Sequence, residues 1–358
     1  MTSTPSPTAE LAARRVDPSL LRRFVADILA CADVPSSDAD LVADSLVAAD
    51  VWGHQSHGVL RLPWYMRRLL SGAMMARTQP ETVIDTGALL VLDGHDGIGQ
   101  VLAERARAEA VARARQFGVG AVGVRNSNHF GTAMYFTRRA AQDGCAAILT
   151  TNASPAMAPW GGKQKRIGTN PWSIAAPYGD RVVVLDIANT AVARGKIYLA
   201  RQRGEEIPAS WATDADGVPT TDAASAVDGI VLPMAGHKGY AIAFMMDVLS
   251  GALTGSRTGT GVHGPYEPDP RAGAGHLFIA IDVAAMGDRV EFDARVAQLV
   301  DEAKSVPRAP GVDEVFYPGE LEDRSERVVH EAGGLQLPPQ TIADLRELAA
   351  QQSVDFSL

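Results

Sequence analysis

The 358-residue sequence lacks several features, and each absence excludes a class of protein. Its only two cysteines, Cys31 and Cys145, cannot build a disulfide framework and do not have the spacing of metal ligands. A formal charge of −9 without a dense Lys/Arg cluster excludes a broad nucleic-acid surface. No run reaches the roughly 18 apolar residues of a membrane span. We therefore expect a cytoplasmic protein with no nucleic-acid or membrane partner.

Hydrophobic periodicity predicts helices at both ends of the chain. Apolar residues recur every three or four positions over 17–32, where Asp17 and Pro18 are typical of a helix start. Further helices are predicted over 36–53, 58–70, 101–116, 133–142, 191–203, 241–253, 289–304 and 341–351. The long segment 307–333 is rich in turn residues and predicts a loop. The first residues, 1–14, are Ser/Thr/Pro-rich without a basic or apolar stretch and predict a disordered tail.

The middle of the chain predicts strands, beginning near residue 82. Short apolar runs bounded by Gly, Asp and Pro are typical of strands. The runs 173–177 and 182–187 are separated by a short connection that contains Tyr178-Gly179-Asp180. So short a connection favours an antiparallel hairpin, since parallel strands need a long crossover.

One glycine motif resembles a dinucleotide fingerprint but has the wrong context. Gly118-Val119-Gly120-Ala121-Val122-Gly123 satisfies G-x-G-x-x-G. A Rossmann fingerprint requires a strand before the glycines and a helix after them, so that the helix start faces the pyrophosphate. Here a predicted helix precedes them and an apolar strand follows. We therefore predict that these glycines do not bind a cofactor.

The most informative stretch is Gly53-His54-Gln55-Ser56-His57-Gly58-Val59-Leu60-Arg61-Leu62-Pro63-Trp64-Tyr65. If a helix begins at Gly58, then His57, Arg61 and Tyr65 share one face of its start, because they are four residues apart. Arginine matches a carboxylate, and histidine exchanges a proton near neutral pH. This pattern predicts a site for a small carboxylic acid. The alternative is a loop histidine, an arginine covering apolar surface and a core tyrosine.

Other polar residues lie at ends of predicted elements. Asp186 ends an apolar strand, Lys238 precedes an apolar helix within Gly236-His237-Lys238-Gly239-Tyr240, and His129 lies in a polar turn. A cation at a helix start is suited to phosphate or carboxylate, and the alternative is that Lys238 is a solvated side chain beside a glycine-rich cap. These residues do not have the spacing of metal ligands, so we predict no metal site. No G-x-S-x-G elbow supports a nucleophilic Ser56.

Seven motifs occur in an order that resembles the malate/L-lactate dehydrogenase family of the second, non-Rossmann type. They are Gly53-x-x-Ser56-His57-Gly58-x-x-Arg61, Asn128-His129-Phe130-Gly131, Thr151-Asn152 with Pro159-x-Gly161-Gly162, Gly168-Thr169-Asn170-Pro171, Leu185-Asp186-Ile187-Ala188, Ala193-Arg194-Gly195-Lys196 and Gly236-His237-Lys238-Gly239-Tyr240. The family includes ureidoglycolate, sulfolactate and diketogulonate oxidoreductases and piperideine-2-carboxylate-type reductases. The resemblance extends from about residue 17 to 348.

The resemblance implies an α/β (α+β) fold and a homodimer. We expect a non-Rossmann NAD(P)-binding domain over 81–289, with a mostly antiparallel sheet flanked by helices. A helical domain built from both chain ends, 15–80 and 290–358, would contribute the substrate site and dimer contacts. After Ala188 many relatives have Thr-Ser, whereas this chain has Asn189-Thr190, so this turn does not predict NAD or NADP preference.

The resemblance also assigns roles to individual residues. His57 is the expected proton donor, oriented by Asp186, while Ser56 and Arg61 contact the substrate and His129 lies near it. In some members the residue matching His129 is the acid/base instead. Tyr65 is a further substrate contact from the helical spacing above. The expected cofactor contacts are Asn152, Ser154, Asp186, Ile187, Ala188, Lys238, Gly319 and Glu320.

The predicted reaction is hydride transfer between NAD or NADP and C2 of a small 2-hydroxy or 2-oxo acid. Such a reaction needs a proton donor and a cation that holds the carboxylate, which His57 and Arg61 would supply. The alternative reaction is reduction of a cyclic 2-imino acid. A different class, a non-catalytic NAD(P)- or carboxylate-binding protein, would need Lys238 and Arg61 but no titrating His57.

Overall fold

The computed structural model describes residues 15–358, and the predicted tail 1–14 lies outside the described residues. Its strands are β1 Glu81–Asp85, β2 Leu89–Asp93, β3 Val119–Ser127, β4 Cys145–Thr151, β5 Pro155–Met157, β6 Ile167–Gly168, β7 Trp172–Tyr178, β8 Arg181–Ile187 and β9 Ala274–Asp282. Its α-helices are α1 Pro18–Ala30, α2 Ser36–Val51, α3 Leu62–Ser71, α4 Gly99–Phe117, α5 Met134–Gln142, α6 Arg194–Arg203, α7 Ala223–Asp228, α8 His237–Asp247, α9 Val283–Met286, α10 Arg289–Lys304, α11 Glu320–Glu331 and α12 Pro339–Gln352.

Seven strands form one mixed sheet in the order β1-β2-β3-β9-β4-β7-β8. The pairing is antiparallel except between β2 and β3, and β7 and β8 form the predicted hairpin. The predicted mixed α/β fold with a mostly antiparallel sheet is therefore confirmed. The sheet ends at β8, and this edge strand carries Asp186.

Helix α4 precedes β3 and packs on it, as the order of helix, glycines and strand predicted. A Cβ on Gly120 would lie 2.2 Å from the carbonyl oxygen of Ala110 on α4. This glycine therefore allows the strand to approach the helix backbone. The glycine that ends α4, Gly118, has a φ of +82°, which a residue with a side chain adopts only at a cost.

The two ends of the chain share one hydrophobic core. Side chains of α1, α2 and α3 pack with Leu335, Leu337 and residues of α12 in a single buried cluster. A second cluster lies between α4, α5 and the sheet. Helix α10 instead contacts the sheet, since Val300 packs with Tyr178 and Tyr317. The site described next lies where the first core meets the sheet.

Two predicted elements differ from the structure. The predicted helix over 58–70 begins instead as a 3₁₀ turn, Val59–Arg61, which is followed by α3. Gly58 separates this turn from an earlier 3₁₀ turn, Gln55–His57, because its backbone is extended, with φ −87° and ψ −152°. The predicted loop over 307–333 contains α11. Its turn residues flank that helix: Gly319 is its N-cap, and Gly333 and Gly334 follow it.

Candidate active site

The segment with Ser56, His57 and Arg61 is held against the end of α2 by one buried carboxylate. Asp50 accepts a hydrogen bond from the backbone N–H of Val59 at 2.8 Å. A Cβ on Gly58 would lie 2.1 Å from Asp50 Oδ1, so only glycine lets the carboxylate approach this backbone. Burial raises the pKa of Asp50 to about 7, against the opposing Val59 hydrogen bond. The carboxylate thus supports the chain between the two 3₁₀ turns.

His57 and His129 lie side by side, with ring centroids 5.8 Å apart and an interplanar angle of 19°. The Tyr65 hydroxyl lies 2.6 Å from His129 Nδ1, and the backbone N–H of Gly131 donates to the same nitrogen at 3.2 Å. A backbone N–H can only donate, so Nδ1 is an acceptor. Neutral His129 therefore carries its proton on Nε2, while Tyr65 donates to Nδ1.

His57 has a less constrained hydrogen bond. Its Nδ1 lies 2.8 Å from the Ser56 hydroxyl, which can act as donor or acceptor. Burial, together with the positive charges of Arg61 and His54, lowers the pKa of His57 to about 3. Burial and the Arg61 charge also lower the pKa of His129. Both imidazoles are therefore neutral at neutral pH in the protein without substrate.

Arg61 is fixed at one end and open at the other. Its Nε donates to the carbonyl oxygen of Ser56 at 2.7 Å, and its guanidinium lies 4.4 Å from the centroid of the Trp64 ring. Within residues 15–358, its two terminal nitrogens donate no hydrogen bond. Burial lowers its pKa, but a guanidinium remains charged. The structure therefore brings a held cation with free donors next to His57.

Asp186 does not orient His57, which corrects the expectation from the sequence. Its Oδ2 accepts hydrogen bonds from Thr132 Oγ1 at 2.6 Å and from the backbone N–H of Met134 at 2.8 Å. The Asp186 carboxylate, which was expected to bind His57, is therefore hydrogen-bonded to the start of α5. Burial raises the pKa of Asp186, and the Thr132 and Met134 hydrogen bonds oppose this.

The imidazole that interacts with Asp186 is that of His54. Its Nδ1 lies 3.5 Å from Thr132 Oγ1, and its Nε2 lies 3.1 Å from Glu322 Oε1 on α11. Burial favours a lower pKa for His54, but the Glu322 hydrogen bond and the Asp186 charge outweigh it and raise the pKa. Sequence reasoning missed this role of His54 because it predicted a loop in place of α11.

Asn170 joins the segments expected to bind the cofactor. Its Oδ1 accepts from the backbone N–H of Ala153 at 2.8 Å, and its Nδ2 donates to Ala243 O on α8 at 2.8 Å. Its own carbonyl accepts from Asn189 Nδ2 at 2.6 Å. The loop after β4, the turn after β8 and helix α8 are therefore neighbours. Asn189, the departure from the family pattern, is fully buried.

The expected cofactor residues differ in what their side chains can still bind. Asn152 is fully used inside the protein: Nδ2 donates to Asp247 and Arg257, and Oδ1 accepts from Gly275. The Asn152 side chain therefore has a structural role and joins the loop after β4 to these three residues. Ser154 is half-buried, with its hydroxyl 3.3 Å from the Tyr266 hydroxyl. Since Tyr266 packs edge-on to Trp64, Ser154 lies on the Arg61 side of the site.

The remaining expected contacts lie along the β8 edge. Gly319, at φ +96°, packs so closely on β8 that a Cβ would lie 2.7 Å from a Val184 methyl carbon. Glu320 accepts from the backbone N–H of Tyr317 at 3.1 Å and pairs with Lys304, so its carboxylate holds the turn before α11 and the end of α10. Ile187 and Ala188 are half-buried in the turn after β8.

Helix α8 begins with donors suited to phosphate. Lys238 is exposed in its first turn, and the N-cap Gly236 provides no side-chain cap. Thr190, bridged to Pro233 just before this helix, has a buried hydroxyl with no partner among residues 15–358. A free ammonium, an uncapped helix start and a hydroxyl fit the phosphates of a nicotinamide dinucleotide.

Two further properties concern the described part of the chain as a whole. Among residues 15–358, no three His, Cys, Asp or Glu side chains are grouped so that they could hold a metal ion. Over that same range, no helix combines the length and the apolarity needed to cross a bilayer.

Comparison with known sequences places these residues in a family. The malate/L-lactate dehydrogenase family matches residues 16–346. The chain belongs to the malate/L-lactate dehydrogenase family. It is 38% identical over 335 residues to L-sulfolactate dehydrogenase of Methanocaldococcus jannaschii, covering 94% of this chain and 96% of that one. It is 36% identical over 318 residues to an NAD⁺-dependent ureidoglycolate dehydrogenase of Escherichia coli K12, covering 87% and 90%.

Other members extend the range of cofactor and substrate. A (2R)-3-sulfolactate dehydrogenase of Chromohalobacter salexigens, named as NADP⁺-dependent, is 35% identical over 323 residues and covers 89% and 93% of the two chains. The solved sulfolactate dehydrogenase of M. jannaschii superposes with a TM-score of 0.90 over 96% of this chain and 98% of that one, at 37% identity. A Δ1-piperideine-2-carboxylate reductase of Pseudomonas syringae superposes with a TM-score of 0.82 at 28% identity, covering 94% and 100%. As a member of this family, the 358-residue chain is an NAD(P)-dependent oxidoreductase.

Proposed function

We propose that the protein transfers a hydride between a nicotinamide and C2 of a small 2-hydroxy or 2-oxo acid. The observation that carries this proposal is the Arg61 guanidinium, fixed by Ser56 and Trp64 with both terminal nitrogens free, next to a neutral His57. A planar guanidinium pairs with a carboxylate through two parallel hydrogen bonds. The carboxylate of the substrate would therefore place its C2 atom beside the imidazole.

His57 is the proposed proton carrier. Neutral His57 can accept the proton of the substrate hydroxyl during oxidation. Binding a carboxylate to Arg61 offsets the positive charge that lowers the pKa of His57, so the imidazole can hold the proton in the substrate complex. In the reverse direction the same proton returns to the oxygen at C2.

His129 is the proposed fixed donor rather than the proton carrier. Because Gly131 and Tyr65 both donate to its Nδ1, its proton stays on Nε2, where it can donate a hydrogen bond to the substrate. A group locked in one tautomer suits orientation better than proton transfer. His57, whose partner is a rotatable hydroxyl, has no such lock.

The cofactor supplies the hydride acceptor or donor. We infer that it binds on the antiparallel sheet in a non-Rossmann manner, with its phosphates at Lys238 and the start of α8. Ser154 and the Asp186–Ala188 turn would contact it through backbone and hydroxyl groups, and Gly319, which packs on β8, would contact it through its backbone. The contiguity of these segments through Asn170 supports one shared site.

Reduction of a cyclic 2-imino acid is the second candidate. The similarity to the piperideine-2-carboxylate reductase favours it, and its substrate also has a carboxylate next to the reacting carbon. A panel of 2-oxo acids and cyclic imines, followed by loss of NADH and NADPH absorbance, separates the two. Turnover of an oxo acid supports the first proposal. Turnover of imines alone selects the second, and no turnover with either cofactor contradicts both.

We also infer a homodimer, with α8 and the segment after it, the π turn Val248–Ala252 and Leu253, at the interface. This element exposes Phe244, Met245 and Leu253, the last at 63%. Adjacent apolar side chains on one element are typical of an interface between copies. The two free thiols, Cys31 and Cys145, fit the reducing cytoplasm that we infer for the protein.

Leu253→Glu tests the dimer. We expect the variant to sediment as a monomer, because a charge would be buried in an apolar contact. Met286→Glu is the matched control, since Met286 is 81% exposed on α9 and outside the inferred interface. A dimeric Leu253→Glu protein, or a monomeric wild type in sedimentation velocity, would refute this interface.

A further inference from the structure

Gln100 is a buried amide that the mechanism above does not use. It is the second residue of α4 and is fully buried. Within the described chain, neither its Nε2 nor its Oε1 has a hydrogen-bond partner. A buried amide without partners destabilises a folded protein. Such a side chain needs a reason outside the packing of the free protein.

Gln100 lies close to the loop that carries His129. The residue before it, Gly99, touches the loop with His129: a Cβ there would lie 2.3 Å from Asn128 O and 2.4 Å from His129 O. A Cβ on Gly131 would lie 4.0 Å from Gln100 Nε2 and 3.8 Å from His57 O. Gly131 is the residue whose N–H donates to His129 Nδ1. The amide therefore lies near Gly131, a residue whose backbone contacts His129 Nδ1 and approaches the His57 carbonyl.

The Tyr65 hydroxyl oxygen is an acceptor to which the Gln100 amide can donate. Its hydroxyl proton points to His129 Nδ1, which leaves its oxygen able to accept. Burial raises the pKa of Tyr65, while Arg61 and the Gln100 amide act to lower it, so the amide and the phenol interact. In the free protein the amide is near the phenol oxygen without forming a hydrogen bond of normal geometry.

We propose that Gln100 is a positioning residue that donates from Nε2 to the Tyr65 oxygen in the substrate complex. This hydrogen bond keeps the Tyr65 hydroxyl donating to His129 Nδ1, so that the proton of neutral His129 stays on Nε2, facing the substrate. The inference rests on the proposed role of His129 as a fixed donor. The free protein tolerates an unpaired amide because the partner geometry is completed only with substrate bound.

Gln100→Leu tests the proposal, because leucine fills similar space without an amide. We expect kcat/KM to fall about tenfold, the size of one hydrogen bond, chiefly through a higher KM as expected for His129→Ala, while Tm stays equal or rises. Gln116→Leu on the exposed end of the same helix is the matched control and should change neither. The variants are compared in the full-length protein with the best substrate of the panel.

A double-mutant cycle with Tyr65→Phe distinguishes positioning from other roles. If Gln100 acts through the phenol, Gln100→Leu has no further effect on kcat/KM in the Tyr65→Phe protein. An additive tenfold loss, an unchanged kcat/KM in the single variant, or a lower Tm or failure to fold would each overturn the proposal. If Tyr65→Phe and His129→Ala themselves leave both KM and kcat/KM unchanged, the proposed function of His129 fails instead, and the two failures are thereby distinguished.

Discussion

His57→Ala is expected to lower kcat by about 10²- to 10⁴-fold, the usual contribution of general acid–base catalysis. Of His57 and His129, the variant loses the imidazole whose partner is a hydroxyl that can act as donor or acceptor. Cofactor affinity, measured by fluorescence titration, should stay near wild type because the segments at Lys238 and Asn170 are untouched. His129→Ala should chiefly raise KM. A near-normal kcat in His57→Ala with loss of turnover in His129→Ala would exchange their roles.

The pH dependence of the wild type adds a check on the same assignment. Oxidation needs neutral His57, whose pKa is lowered to about 3 in the protein without substrate. For oxidation, kcat/KM should therefore not decline as pH falls through the ordinary histidine pKa of about 6.5. For reduction, kcat should fall as pH rises through the higher pKa of His57 in the substrate complex. An inflection of the oxidative kcat/KM near 6.5 that His57→Ala abolishes would contradict the low pKa.

Arg61→Lys is expected to raise KM for every carboxylate substrate by about 10- to 100-fold, the range for a hydrogen bond to a charged group. Lysine keeps the charge but loses three features: the Nε bond to Ser56, the stacking on Trp64 and the planar pair of donors. A smaller change in kcat should accompany the change in KM, because the carboxylate remains near a cation. Steady-state kinetics with the panel substrate measures both.

The matched control is Arg67→Lys, an exposed arginine on α3, the helix that follows Arg61. It should leave KM unchanged. A folded Arg61→Lys enzyme with wild-type KM would remove Arg61 from the carboxylate site, and with it the main support for a 2-oxo or 2-imino acid. Equal KM changes in both variants would show instead that the effect comes from general electrostatics.

Local patterns in the sequence were sufficient for the mixed α/β fold and for most elements. The β7–β8 hairpin and α10 depend on turn residues and on periodicity that act over a few positions, and both were predicted from them. The G-x-G-x-x-G motif after α4 could also be judged from the sequence, because the predicted order of helix and strand around Gly120 differs from that of a Rossmann fingerprint. Helix α11 was not predicted, since the Gly and Pro residues of the segment 307–333 suggested a loop but flank the helix instead of interrupting it.

The chemistry of the site was only partly contained in the sequence. Ser56, His57 and Arg61 are close because they are neighbours along the chain, so spacing alone indicated a carboxylate site. The partner of each imidazole depends on which distant segments pack against it. Asp186 therefore accepts hydrogen bonds from Thr132 and the start of α5, near His54, and not from His57. Likewise, Tyr65 and Gly131 set the tautomer of His129, and Gln100 lies behind them, through contacts between residues far apart in sequence. Tertiary packing alone decides such contacts, because a hydrogen bond requires a geometry that sequence spacing does not specify.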